Sequence, residues 1–140
     1  MTAYDAQYRI PWIVFDRDQV SNFDQIIKTA KEKGIHVGWS NPCFEIWMFA
    51  YFGSMPAIHE SWTCCAKFAE LYKTKTGQIY TKADKNMYGR LCEFGDEGRA
   101  IQIAQQKYKQ CLREEKTSPS QMCPATTVYE LVDEIRKKIK

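Results

Sequence analysis

The chain has 140 residues, 44% of them apolar and 26% charged, and a formal net charge of +3. That length supports one domain over residues 1–140 with a single buried core, and the composition excludes wholesale disorder. No apolar run approaches the ~20 residues needed to cross a bilayer, and so mild a charge permits a nucleic-acid partner without demanding one.

The opening "MTAYDAQYRI" carries an acid and lacks the basic-then-apolar plan of a secretory signal, so a cytosolic, reducing location is the expectation. "WIVF", residues 12–15, is β-branched and aromatic and too short for a helix, which predicts a strand. It ends in Asp16, Arg17 and Asp18. "SNFDQIIKTAKEKG" (21–34) places Phe23, Ile26, Ile27 and Ala30 at helical spacing, with Ser21 or Asn22 to cap the start and Gly34 to end it. "IHVGWS" (35–40) reads as a second strand. Strand, helix and strand with short joints make a βαβ unit, hence parallel strands and a right-handed crossover.

"NPCFEIWMFAYF" (41–52) reads as a helix with Asn41 as N-cap and Pro42 at its first position, and it is apolar nearly all round, as a buried helix is. "AIHESWTCCAKFAELYKTKTG" (57–77) predicts another helix, while "YTKADKNMYGRL" (80–91) gives no clear pattern. "EGRAIQIAQQKYKQCLREEK" (97–116) is helical, with Ala100, Ile101, Ala104 and Tyr108 on one stripe. "TSPSQMCPA" (117–125) predicts a loop. "TTVYELVDEIRKKIK" (126–140) predicts a last helix, acidic early and basic late as the macrodipole favours. The sum is an α/β fold, a small mostly parallel sheet with flanking helices and a helical C-terminal part. Two strands make a poor sheet. An opening strand is therefore expected to be missing or to come from elsewhere.

Side chains alternate along a strand, so Asp16 and Asp18 are expected on one side, beyond the carboxyl end where parallel sheets bind ligands. Two neighbouring carboxylates repel unless a cation neutralises them, and hard oxygen donors suit Mg²⁺ or Mn²⁺. The competing reading makes them loop acids, with Asp18 or Asp24 assisting the next helix. At the second strand's end, Ser40 and Asn41 bring short hydrogen-bonding groups beside a helix N-terminus, a ready anion site. Glu45 there is either a third acid or a complement to the helix dipole.

Lys73, Lys75, Lys82, Lys85 and Arg90 interleave with Tyr72, Tyr80 and Tyr88, a mixture that suits single-stranded nucleic acid or RNA loops, and equally an ordinary solvated surface. His36 lies within a strand and reads as structural; His59 has no Ser, Asp or Cys at a recognisable triad spacing. The six cysteines contain no C-x-x-C pair, so a conventional zinc site and a disulfide framework are not expected, and most read as small core residues; vicinal Cys64 and Cys65 are the pair with redox potential.

"WIVFDRD", then a helix, then "VGWSNPCFEIWMFAYF" resembles the RloB-like family of prokaryotic defence-associated proteins, with further likeness in "YTKADKNMY", "AIQIAQQ" and "CPATTVYELVDEI". The likeness spans about residues 12–135, and its specific part is the S-N-P-x-F-E-x-W run. The resemblance implies a relative of the Toprim fold and a nuclease acting on nucleic acid, tRNA among the candidates, within phage defence. On that likeness Asp16 and Asp18 match the metal-holding D-x-D, Asn41, Pro42, Phe44 and Glu45 match the signature, and Lys82 becomes a phosphate-contacting lysine. Family members usually begin with a strand ending in an E-G-x-x-T-E type motif that supplies a catalytic glutamate, and this chain opens at about their second strand. Where the family tends to carry a histidine late in the buried helix, this chain has Tyr51. The implied alternatives are a truncated product, a strand supplied by a partner, or a non-catalytic relative whose cleft binds nucleic acid or a nucleotide, or docks a defence partner. In the catalytic case, general acid–base help falls to Glu45 or water.

Overall fold

A computed structural model describes residues 11–18 and 20–139. In chain order they form β1 (Trp12–Asp16), α1 (Phe23–Glu32), β2 (His36–Asn41), α2 (Glu45–Tyr51), α3 (Ser61–Thr76), α4 (Met87–Phe94), α5 (Glu97–Arg113), a 3-10 turn (Pro119–Gln121), β3 (Ala125–Thr126) and α6 (Val128–Ile139). None of these helices is long and apolar enough to cross a membrane.

The sheet order is β1-β2-β3. β1 and β2 are parallel, in register from Trp12 opposite His36 to Asp16 opposite Ser40, as the βαβ reading requires. β3 is antiparallel to β2, pairing Thr126 with Ser40 and Ala125 with Asn41, so the sheet is mixed rather than mostly parallel. The third strand thus comes from the stretch read as loop and helix start. A two-residue strand carries no periodicity to read.

Threonine side chains extend this short pairing. Trp39 N–H donates to Thr127 Oγ1 at 3.0 Å, that hydroxyl donates to Val37 O at 3.1 Å, and Thr127 N–H donates to Trp39 O at 2.8 Å. Ser40 Oγ and Thr126 Oγ1 share a bond of 2.8 Å, and Val128 N–H at the start of α6 donates to Thr126 Oγ1 at 3.1 Å. The pair Thr126–Thr127 therefore anchors both β3 and the first turn of α6 on the central strand.

Two apolar clusters enclose β2. Phe23, Ile27 and Ala30 of α1 pack with Val37 and Trp39, and Phe23 meets Trp39 edge-on at 5.7 Å. α1 ends before Gly34, whose φ of +77° is a conformation glycine adopts without a Cβ clash. Every residue of α2 is buried, as its all-round apolarity predicts, among Cys64, Phe68 and Tyr72 of α3, Leu91 of α4 and Ala100, Ile101 and Ala104 of α5. Gly95 between α4 and α5 is needed for close approach: a Cβ there would lie 2.6 Å from Tyr51 O, while Asp96 N–H donates to that carbonyl at 2.9 Å. β1 lies at the sheet edge, with Ile13 36% and Val14 47% exposed.

Replacing Thr127 by Val should strand the Trp39 amide and Val37 carbonyl and lower stability by about 1–3 kcal/mol. Thr127→Ser should retain most of it. Urea midpoints of the two variants check this, and equal midpoints would refute the anchoring role.

Candidate functional site

The strand ladder carries Asp16 to the rim and stops there. Arg17 N–H donates to Ser40 O at 2.9 Å, the chain bends, and Asp18 N–H donates to Pro42 O at 3.2 Å. Because β1 ends at Asp16, strand alternation does not fix the side of Asp18. The Asp16 carboxyl is pushed above the usual aspartate range, chiefly by burial and further by the charges of Glu45 and Asp18, while the Phe44 amide and Lys82 pull it down.

β2 runs one residue further than the sequence predicts. Asn41 closes the strand rather than capping a helix, a cis peptide joins it to Pro42, and α2 begins at Glu45 behind Phe44. Ser40 and Asn41 are 0% and 1% exposed. Ser40 Oγ is paired with Thr126, and Asn41 Nδ2 donates to Pro119 O at 3.1 Å and Ser120 O at 3.3 Å. Ser40 thereby ties β3, and Asn41 the 3-10 turn, to the central strand.

Glu45 is the first residue of α2 and only 3% exposed. Tyr80 O–H donates to Glu45 Oε2 at 2.5 Å, and Lys82 Nζ lies 3.8 Å from the same oxygen. Burial alone would favour the neutral acid; the Tyr80 bond, its own amide, the Cys43 thiol and Lys82 outweigh it and bring Glu45 below the ordinary glutamate range. Lys82 is raised in turn, first by Glu45, and its side chain stays 69% exposed. Asp16, Glu45 and Lys82 thus converge at the carboxyl end of the parallel pair.

Lys85 lines a mostly apolar cavity of about 370 Å³ with Trp47, Met48, Tyr88 and Leu131. Of the rings read as stacking platforms, Tyr72 and Tyr80 pack toward the interior and Tyr88 does not. Tyr72 is fully buried, and it and Tyr80 pack on Phe68 at 5.9 and 5.0 Å; Arg90 donates to Tyr72 Oη at 3.2 Å and Asp84 at 2.9 Å. Tyr88, 58% exposed, donates to Glu97 at 3.0 Å, and Tyr51 donates to the same carboxylate at 2.7 Å.

Three neighbours of the acids have no sequence signal that places them there. Tyr80 falls in the unpatterned segment. Cys43 and Cys65 lie beside Glu45, and their ligand atoms and a Glu45 oxygen all fall within 4.8 Å of one another. Burial, followed by the Glu45 charge, pushes the Cys65 thiol up to about 12, and Cys43 is pushed up by the adjacent Cys64 thiol and by burial. His59 lines an open cavity of about 290 Å³ with Arg17, Asp18, Asn41, Pro42 and Ser61. His36 begins β2 and stacks on Trp12 at 4.9 Å.

The model of a family described as RloB-like protein matches residues 2–135. No curated protein and no solved structure matches the chain.

The lowered Glu45 pKa means its stabilisation is present above the unfolded-state glutamate pKa and is lost as pH falls through the folded one. Tyr80→Phe should destabilise by about 1–3 kcal/mol at neutral pH. The gap from the parent protein should narrow as Glu45 protonates. Denaturant melts across acidic pH test this, and a pH-independent gap contradicts it.

Proposed function

The chain belongs to the RloB-like protein family, and on that premise we propose that it is a Toprim-like, metal-dependent nuclease of a prokaryotic antiphage defence system. It acts in the cytoplasm on phosphodiester bonds of RNA, tRNA included, or of single-stranded DNA. The observation that carries this reading is the convergence of Asp16, Glu45 and Lys82 at the carboxyl rim, where parallel sheets bind ligands.

The donor chemistry fits a hard divalent cation, Mg²⁺ or Mn²⁺. Asp16 and Asp18 offer carboxylate oxygens, and the like charges that raise Asp16 are an excess a cation relieves. Such an ion supplies Lewis-acid stabilisation of charge on a phosphate under attack. Lys82, exposed and cationic, contacts a phosphate oxygen beside it. Glu45 serves as an auxiliary acid that orients Lys82, and proton transfer falls to it or to water. Lys85 extends the basic surface toward a bound strand. A defence-system partner or a second copy would add a strand at the exposed edge of β1.

One observation favours a second reading, a module that binds nucleic acid or a nucleotide without cutting it. Among the described residues, Asp16, Asp18 and Glu45 are not a set with ligand oxygens all within 4.8 Å of one another.

Labelled tRNA and single-stranded DNA, incubated with Mn²⁺, Mg²⁺ or EDTA, separate the readings. Metal-dependent fragments abolished by Asp16→Asn support the nuclease. Retention on a filter without fragments, surviving Asp16→Asn, supports the module. Lys82→Ala should weaken retention about tenfold in either case. Neither fragments nor retention would remove both readings.

A further inference from the structure

We propose that Cys43, Glu45 and Cys65 form a binding site for one thiophilic divalent cation of the zinc class. Cys43 and Glu45 stand two residues apart, in the turn after β2 and at the first residue of α2, and folding brings Cys65 to them from the first half of α3. Their ligand atoms all lie within 4.8 Å of one another. Around a tetrahedral zinc ion, two sulfurs and an oxygen sit ~3.6–3.8 Å apart, given Zn–S ≈ 2.3 Å and Zn–O ≈ 2.0–2.2 Å. A contraction of at most ~1.2 Å in any pair reaches that spacing.

The surroundings support the ligands as well. Cys43 and Glu45 are 1% and 3% exposed, so water competes poorly for them, while half-buried Cys65 leaves a side for entry. Tyr80 O–H holds the Glu45 carboxylate in place from Oε2, the outer bond that orients a metal-ligating carboxylate, and Tyr80 is itself fixed against Phe68 and Tyr72. The charges balance. Without metal, two neutral thiols accompany one carboxylate and the Lys82 ammonium. With metal, two protons leave to solvent and one divalent cation takes their place, so the local sum stays zero. Three protein ligands leave a fourth position open for water or another donor. Thiolate donors select against Mg²⁺, so this site is chemically distinct from the hard-ion reading of Asp16 and Asp18.

The test uses the full chain, reduced and stripped with chelator, titrated with Co²⁺. A sulfur-to-cobalt charge-transfer band and tetrahedral visible bands should rise to saturation at one equivalent and be displaced by Zn²⁺. They should vanish in Cys43→Ser and in Cys65→Ser and persist in Cys92→Ser and Asp18→Asn. Should the serine variants fail to fold, the unaltered protein still decides: Zn²⁺ at ~100 times its Kd should slow alkylation of Cys65 about 100-fold and leave exposed Cys92 unaffected. No thiolate band, a band surviving Cys43→Ser, or equal alkylation of Cys65 with and without zinc would overturn the site. None of these outcomes depends on nuclease activity, so this inference and the proposed function fail separately.

Discussion

A carboxylate, Glu45, is buried at the head of a helix in which every residue is out of solvent. An unpaired charge there would be strongly destabilising. The fold meets the constraint with neighbours drawn from distant sequence: a tyrosine hydroxyl 35 residues away, a lysine from the same segment, and the Cys43 thiol two residues before. Residues 77–86 have no helix or strand of their own, and these polar bonds, the Arg90–Asp84 pair and the packing of Tyr80 on Phe68 and Tyr72 attach them. Tyr80 and Lys82 of this segment are thereby set against Glu45 at the rim of the sheet.

A second constraint acts on the central strand. β2 is buried from Val37 to Asn41, and a strand so enclosed must have its polar groups matched on both edges. β1 supplies one edge over five registered pairs. The other edge is satisfied by only two β3 residues, by Thr127, and by the Asn41 amide holding the 3-10 turn. Side-chain oxygens here do the work of a longer strand. This explains why Ser40 and Asn41, polar residues at the end of an apolar strand, are committed inward.

Periodic elements were the legible part of this chain. The first strand, the crossover helix, the parallel partner, the buried helix and the late amphipathic helix follow from spacing, because each buries a face whose repeat is written in adjacent residues. Boundaries set by tertiary contact were not. Asn-Pro followed by an apolar run fits a helix start on local grounds, yet Asn41 pairs with Ala125, a partner more than eighty residues away that no local rule reveals. The same limit applies to the rim. Asp16, Glu45 and Lys82 could be named from the strand end, the helix start and the family likeness. The bond of Tyr80 to Glu45 could not, and neither could the meeting of Cys43 with Cys65, since ligands joined only by folding leave no C-x-x-C spacing to notice.

The two rim acids are driven in opposite directions by surroundings that overlap. Burial raises Asp16, and Glu45 and Asp18 add to the rise with their charge; burial also acts on Glu45, but a tyrosine bond and a nearby ammonium overturn it. The asymmetry follows from where the donors fall. Tyr80 addresses Glu45 alone, whereas Lys82 influences both acids and, at 3.8 Å, sits against Glu45. Two neighbouring carboxyls thus carry pKa shifts of opposite sign, one set by burial and like charge, the other by a hydrogen bond and an ammonium. On the proposed occupancies, a hard ion would sit beside Asp16 and a soft ion where Glu45 meets two thiols.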